Sequence, residues 1–227
     1  PGAKRAVDEF RVGRALVLSK RERPETEYMV GARFAGGSRF ETAAAGGEAG
    51  IATGFGASVL CRLDRVVAAY RVLMRKYNGA NGYALDVLAT TGVFAFTALS
   101  DDGSIRQAQY TFTQSDAARM VLLTCLINGA GGTRVYLGRT LVASQTIVGY
   151  RVGTASTSIG NDNTGIQPFT DGLFCGELTF RGVPSDAQIA TFADTVRLLG
   201  DVPDTFPGVT VTHHWSAKRE LAGLIDQ

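Results

Sequence analysis

The stretch Met120–Ile127 reads Met-Val-Leu-Leu-Thr-Cys-Leu-Ile, an almost unbroken run of apolar residues. Neighbouring side chains of a strand point to opposite faces of the sheet, so such a run needs apolar cover on both sides. It predicts a central strand buried on both faces, although periodicity alone leaves a buried helix open. The segment Asn128–Gly132 follows it, and this asparagine and the glycines predict a hairpin turn.

Shorter alternating runs surround this strand. They are Val93–Thr97, Tyr110–Thr113 and Arg134–Leu137, in which every second side chain shares one face. The chain has 28 glycines and only 6 prolines, and the glycines fall between such runs. This pattern is typical of many short strands joined by tight turns. We therefore predict an all-β fold.

The composition is that of one globular domain. The chain has 227 residues, of which 45% are hydrophobic and 19% are charged, and all-β sandwiches of roughly 200–250 residues often form a single domain. This balance excludes wholesale disorder. The formal net charge of +2 gives no strong field for nucleic acid, so we expect no specific nucleic-acid partner. No apolar run approaches the roughly 20 residues of a membrane-spanning helix.

One helix is indicated towards the C-terminus. Ser185 is expected to be its N-cap, with Gln188 at the capping-box position and Gly200 at the left-handed position that ends it. Four apolar residues recur at helical spacing and are expected to pack on the sheet: Ile189, Phe192, Val196 and Leu199.

Two segments flank the body of the domain. Residues 1–27 are expected to form an N-terminal arm, residues 28–200 the sandwich, and residues 201–227 a C-terminal tail. The end of that tail, Ser216–Gln227, has the pattern of a short amphipathic helix. Extended arms gain order from a partner, which predicts contacts with other protein subunits.

The three cysteines, Cys61, Cys125 and Cys175, each lie in an apolar run that is typical of buried thiols. Their odd number and wide spacing give neither a disulfide framework nor a zinc pattern, and they favour folding in a reducing compartment. No signal-peptide core is visible near Pro1. We therefore expect synthesis in the cytosol, with an extracellular location as the alternative if the chain is a fragment of an exported protein.

The order of these elements resembles the laminin G-like members of the concanavalin A-like lectin and glucanase superfamily. The resemblance runs from about Tyr28 to Gly200 and rests on order and spacing together. The matching segments are Phe34–Glu41, Phe55–Leu63, Val72–Lys76, Gly82–Leu85, Arg134–Val142, Gly176–Phe180 and Pro184–Ile189. The resemblance implies a jelly-roll sandwich of two antiparallel sheets, one concave and one convex.

The catalytic pattern of that superfamily is missing. Its glucanases carry Glu-x-Asp-x-Glu, which places alternate carboxylates on one sheet face. Glu177 lies in the corresponding strand without a second carboxylate beside it, so we expect a structural or surface role for it. His213 and His214 follow no nucleophile-elbow sequence. We expect a protein that is not an enzyme, with a glycoside hydrolase as the least favoured alternative.

Acidic and amide side chains in two loops have the ligand type that calcium prefers, and laminin G-like modules often hold calcium in loops at one edge. The candidate ligands are Asp101, Asp102, Asp162 and Asn163. The alternative is ordinary turn formation, which Asp and Asn favour for local reasons. Calcium is the only cofactor that the sequence suggests.

Aromatic side chains at or near loops are candidates for carbohydrate-binding platforms. They are Tyr77, Tyr83, Tyr150 and Phe169. The alternative is that these rings simply cover the ends of the sandwich. No stripe of basic and aromatic residues indicates single-stranded nucleic acid.

Two function classes fit this sequence. The first is a non-catalytic structural or decoration subunit of a larger assembly such as a phage-like virion, fibre or capsid. The arms, the thiols and the missing signal-peptide core favour this class. The second is a carbohydrate- or protein-binding, lectin-like module of a longer exported protein, with glycans among its expected partners.

Overall fold

The structure, a computed structural model, describes most of the chain and shows an all-β fold. The described residues are 10–12, 16–22, 28–34, 38–42, 54–66, 70–77, 81–88, 92–113, 116, 117, 119–128, 132–153, 156–161, 168–170 and 172–225. They form two antiparallel sheets and two helices. The predicted fold class, a two-sheet antiparallel jelly-roll sandwich, is therefore confirmed.

The elements follow one another along the chain in a fixed order. They are β1 Phe10–Val12, β2 Leu16–Glu22, β3 Tyr28–Arg33, β4 Phe40–Thr42, β5 Phe55–Leu63, β6 Arg71–Tyr77, β7 Gly82–Val87, β8 Val93–Leu99, β9 Ile105–Thr111, β10 Met120–Asn128, β11 Gly132–Leu137, β12 Thr140–Gln145, β13 Thr157–Ile159, β14 Gly172–Arg181, α1 Asp186–Leu199, β15 Thr210–Ser216 and α2 Ala217–Ile225.

The strands divide into a large and a small sheet. The nine-stranded sheet has the order β1-β2-β3-β14-β5-β10-β11-β12, and β15 pairs with β14. The six-stranded sheet has the order β4-β13-β6-β7-β8-β9. Sequence neighbours such as β6, β7, β8 and β9 pair as a meander, whereas β14 crosses over to lie beside β5.

Strand β10 is the one predicted from its apolar run. It pairs antiparallel with β5, where Leu123 lies opposite Val59, and with β11 on its other side. Leu123 contributes to the core between the two sheets, whereas its neighbour Leu122 contributes to a second core on the outer face. The predicted burial on both faces is confirmed.

The predicted hairpin after β10 is also present, because Asn128 pairs with Gly132 at the end of the β10–β11 ladder. Gly132 has a φ of +111°, and a Cβ atom there would lie 2.2 Å from the backbone oxygen of Gln145. Only glycine fits such a position, since L side chains rarely adopt this conformation and the neighbouring strand leaves no room.

The outer core lies between the large sheet and helix α1. Its buried apolar side chains come from β5, β10, β11, β14, α1 and the segment after α1. Phe192 of the helix stacks on Phe206 with 4.1 Å between the ring centroids. At the start of the helix, the Tyr136 hydroxyl donates a 2.8 Å hydrogen bond to Asp186. The helix is therefore fixed to the sheet by packing and by a polar contact.

The predicted ends of helix α1 are confirmed. Ser185 is the N-cap, Gln188 completes the capping box, and Gly200 has the left-handed conformation with a φ of 58°. Three of the four predicted packing residues are buried. The fourth, Leu199, was predicted wrongly, because its side chain is 51% exposed. It lies in the last turn, where the helix reaches the edge of its contact with the sheet.

The described parts of the terminal segments pair with the large sheet, and the division of the chain into two arms and a sandwich at residues 27 and 201 stays a prediction. Strand β2 pairs along β3, and β15 pairs along β14 from Gly176 to Arg181. Room exists for β15 because β3 contacts the same edge of β14 only near Phe174. The final segment forms α2, and its residue Ala217 is buried in the core between the sheets.

Neither described helix has both the length and the apolar character required to cross a membrane.

We expect Phe192→Ala to lower the free energy of unfolding by about 3–5 kcal/mol, because it removes a buried ring and leaves a cavity in the outer core. Leu199→Ala, a truncation on the exposed part of the same helix, is the matched control and should change stability by less than about 0.5 kcal/mol. Urea unfolding followed by circular dichroism measures both values. Equal destabilisation by the two variants would contradict this account of helix packing.

Candidate binding groove

A groove opens on the outer side of the large sheet, between α1, the start of β10 and the turn that joins β11 to β12. Its volume is about 500 Å³, within the range of roughly 300–1,000 Å³ that is usual for ligand sites. The described residues that line it are Leu60, Asp116, Arg119, Met120, Val121, Leu122, Leu137, Gly138, Arg139, Ala193, Asp194, Val196, Arg197 and Gly200.

The floor of this groove is aliphatic. Leu60 and Leu122 point outwards from the two central strands, and Val196 faces them from α1. Met120 and Leu137 are only partly buried at the same end. The floor is thus a part of the outer core that lies beside the C-terminal half of the helix.

Arg119 is held at the rim by a buried carboxylate. Asp116 accepts a 2.5 Å hydrogen bond from the Arg119 guanidinium, 2.8 Å and 2.9 Å bonds from the Thr113 N–H and hydroxyl, and a 3.3 Å bond from the Tyr110 hydroxyl. Burial tends to raise the pKa of Asp116, but the Thr113 N–H and the Arg119 charge outweigh it, so this pKa lies below its ordinary value. The carboxylate is therefore ionised at neutral pH and fixes a guanidinium group that stays 53% exposed.

Two further arginines face the groove from other elements. Arg139 lies in the β11–β12 turn after Gly138, whose φ is 57°. It pairs with Asp194 of α1 at 3.6 Å, and both side chains are exposed. Such a surface pair contributes at most about 1 kcal/mol, so an incoming anion can compete for the guanidinium. Arg197, in the last turn of α1, is exposed and forms no ion pair with the described part of the chain.

The candidate calcium residues Asp101 and Asp102 lie in the exposed turn between β8 and β9. Asp102 accepts hydrogen bonds from the Ser104 hydroxyl at 2.5 Å and the Ser104 N–H at 2.9 Å, and a 3.4 Å bond from Arg106. The Ser104 bonds lower the pKa of Asp102 to about 2. These contacts are those of an ordinary turn. No group of three or more His, Cys, Asp or Glu residues among the described positions is placed to hold a metal ion.

The other two candidate calcium ligands, Asp162 and Asn163, lie outside the described residues. Calcium binding therefore stays a prediction.

Three of the four candidate aromatic platform residues belong to the core between the sheets. Tyr83 and Tyr150 are each 3% exposed, and their rings pack on Phe55 with centroid distances of 5.5 Å and 4.9 Å. Phe169 is fully buried. The platform prediction was wrong for these three rings, because the loops and strand ends that carry them turn the rings inwards. The side chain of Tyr77 lies outside the described part of the structure.

Glu177 is fully buried, which excludes the surface role that the sequence left open for it. One oxygen, Oε1, contacts Nδ1 of His213 on the neighbouring strand β15, while Oε2 has no hydrogen-bond partner among the residues that the structure describes. Hydrolysis of a glycoside with retention needs two carboxyl groups about 5–5.5 Å apart. Glu177 instead has a histidine as its charged neighbour in the described structure.

The three cysteines are free and buried, as predicted. Burial raises the pKa of Cys175 to about 12 and places those of Cys61 and Cys125 above their ordinary values. Because the thiolate is the reactive form, these three thiols are inert at neutral pH.

The sequence did not indicate the groove or the Glu177–His213 pair. The three arginines of the groove are far apart in the sequence. About twenty positions separate Arg119 from Arg139, and about sixty separate Arg139 from Arg197. Such spacing does not indicate that the elements carrying them meet in the fold. The only local signal is the pair Asp116 and Arg119, three residues apart before a strand.

Comparison with known proteins shows a shared fold. No known family profile and no curated protein matches the chain. Among solved structures, the receptor-binding domain of a botulinum neurotoxin C/D mosaic serotype matches with 12% identity and a TM-score of 0.51 over 64% of this chain and 37% of that one. The binding domain of botulinum neurotoxin DC, in complex with rat synaptotagmin II, matches with 12% identity and a TM-score of 0.50 over 69% and 39%.

A third solved structure, of botulinum neurotoxin type C and described by its interaction with two ganglioside molecules, matches with 11% identity and a TM-score of 0.50 over 63% of this chain and 36% of that one. The chain therefore spans well under half the length of these proteins. At this identity the likeness shows the fold alone, a jelly-roll-like β-sandwich that occurs in receptor-binding domains.

The Glu177–His213 pair predicts a pH-dependent stability. The hydrogen bond that His213 donates to Glu177 raises the pKa of His213 above its ordinary value, against the effect of burial. The stability that the protonated His213 contributes is therefore fully present below its unfolded-state pKa of about 6.5. This contribution is lost as the pH rises through the raised pKa of His213 in the folded protein. Urea unfolding should show that His213→Gln destabilises the protein more at about pH 5 than at about pH 9.

Glu177→Gln is the companion variant, because it keeps the side-chain shape while removing the charge. It should weaken the same pH dependence. A loss of stability in His213→Gln that is constant over this range of pH would show that the pair contributes no proton-linked stability.

Proposed function

We propose that this chain is a non-catalytic binding module whose ligand occupies the arginine-rimmed groove beside α1. The observation that carries the proposal is the combination of an aliphatic floor with three exposed guanidinium groups from three different elements. A concave, largely apolar site with a few convergent polar groups is the usual form of a ligand site.

The chemistry of the groove favours binding over catalysis. Its described lining contains no histidine, cysteine, serine or lysine that would act as a base or a nucleophile. It does contain two carboxylates, but Asp116 already accepts hydrogen bonds from Thr113, Tyr110 and Arg119. A carboxylate engaged in this way is unsuited to proton transfer, so the pair does not resemble a glycosidase pair.

The structural comparisons support a binding role in a limited way. The proteins that share the fold are receptor-binding domains, one of them in complex with synaptotagmin II and another described with gangliosides. From these proteins we take only the general proposal that this β-sandwich also binds a partner molecule. Membership of the laminin G-like group and a longer exported parent protein stay predictions.

A structural or decoration subunit of a virion, fibre or capsid is the second candidate. It is favoured by the position of β1, which pairs with β2 and lies at the edge of the large sheet. A sheet edge offers N–H and C=O groups to a strand from a neighbouring subunit. In such an assembly, the N-terminal segment would carry the subunit contact.

The binding proposal predicts the behaviour of a groove variant on glycan and peptide arrays. Arg139→Ala combined with Arg197→Ala should weaken the binding of any retained ligand about tenfold or more, because each lost charge-assisted contact contributes about 1.5–3 kcal/mol. Arg106→Ala, which removes an exposed arginine from strand β9 of the small sheet, is the matched control. Ligands that bind the double variant and the wild type equally well would contradict the proposed site.

The assembly candidate predicts that oligomers depend on the N-terminal segment. Removal of residues 1–15, which include β1 but end before β2, should convert an oligomer into a monomer. Light scattering coupled to size-exclusion chromatography measures the mass. A wild-type chain that stays monomeric at high concentration would contradict this second candidate.

A further inference from the structure

The described side chains that line the groove are of only two kinds. Apart from two glycines, they are either aliphatic, including one methionine, or charged, namely arginine and aspartate. None of them is aromatic, and none carries a hydroxyl or an amide. Carbohydrate recognition needs many hydrogen bonds to hydroxyl groups and commonly an aromatic ring surface. The lining therefore favours a ligand with an apolar body and separate negative charges.

The charge that faces solvent is positive. Asp116 is 3% exposed, so its charge is spent on Arg119 and on the Thr113 backbone inside the wall of the groove. Asp194 remains at the rim and is shared with Arg139 across 3.6 Å. The described lining thus has three guanidinium groups against two carboxylates, a net charge of +1, and only one of the two carboxylates is accessible. Guanidinium groups bind carboxylates in a planar, two-bond geometry that gives specificity as well as attraction.

The shape of the site also limits the occupant. The groove is open to solvent along one side, and about 500 Å³ accommodates one or two large side chains rather than a folded surface. Met120 lines the groove two residues before Leu122, and it lies opposite Arg62 in the pairing of β10 with β5. A methionine adapts to apolar side chains of different shape because it is unbranched and polarisable.

We propose that the occupant is an acidic peptide segment of a partner protein, which inserts an apolar side chain onto the aliphatic floor and pairs its flanking carboxylates with Arg119, Arg139 and Arg197. This inference rests on the proposed binding role of the groove and specifies its ligand. Arg119, held rigidly by Asp116, orients one carboxylate. The side chains of Arg139 and Arg197 are less constrained, so they can adjust their positions to pair with the second carboxylate of the peptide. Asp194 is displaced from Arg139 when the peptide binds.

The experiment is a selection from a library of randomised peptides displayed on phage, with the wild-type protein as bait and the variant Arg139→Ala/Arg197→Ala for counter-selection. We expect enrichment of sequences in which Asp or Glu flanks Leu, Ile, Met or Phe. Synthetic copies, measured by fluorescence anisotropy, should lose affinity about tenfold or more when Asp and Glu are replaced by Asn and Gln. Their affinity should also fall with increasing salt.

Two controls separate the possible failures. The exposed variant Arg106→Ala should bind the selected peptides as the wild type does, which shows that the effect belongs to the groove. A matched measurement uses sialyllactose, an acidic glycan. If sialyllactose binds in an arginine-dependent way and no peptide does, the peptide inference is overturned while the binding groove stands.

Other outcomes distinguish the claim that the groove binds a ligand from the claim that this ligand is an acidic peptide. Enrichment of uncharged peptides, or peptide binding that the double variant retains, overturns the acidic-peptide inference. Binding of neither a peptide nor sialyllactose at the groove overturns the inference together with the proposed function. Circular dichroism of the double variant checks that both substitutions, which are at exposed positions, leave the fold intact.

Discussion

Burial of the central strands on both faces is the constraint on which the rest of this structure depends. The β5–β10 pair is mostly apolar and is buried along almost its whole length, so one face needs the small sheet and the other needs a separate cover. Helix α1 and the segment after it provide that cover. Two polar side chains of the outer face satisfy one another, since the hydroxyls of Ser58 and Thr124 hydrogen bond at 2.9 Å under this cover.

The groove follows from the limited width of the cover. The C-terminal half of helix α1 forms one side of the groove, and the aliphatic outer face continues beside the helix towards the start of β10. The uncovered strip is narrow and is bordered by arginines, whose long side chains shield part of the apolar surface while keeping their charges in water. The edge of the contact between helix α1 and the large sheet thus determines two things. It limits how much of the sheet the helix packs on, and it sets how much of the groove floor is accessible.

The sequence could predict features that depend on local periodicity and capping. The apolar run of β10, the hairpin at Gly132 and the cap of Ser185 each depend on residues close together in the chain, and all three are confirmed. It could not predict which loop aromatics turn inwards, because the burial of Tyr83 and Tyr150 depends on Phe55 from a distant strand. The contacts of Glu177 with His213 and of Arg139 with Asp194 likewise require the tertiary arrangement.

The shared edge of β14 has a mechanical consequence. Strand β3 lies beside its first half and β15 beside its second half, so an early and a late part of the chain meet along one strand. Helix α2 then contacts both β3 and β14. A force that pulls β3 and β15 apart would therefore act on this one seam, whereas a pull from the N-terminal side would first load the β1–β2 and β2–β3 pairings.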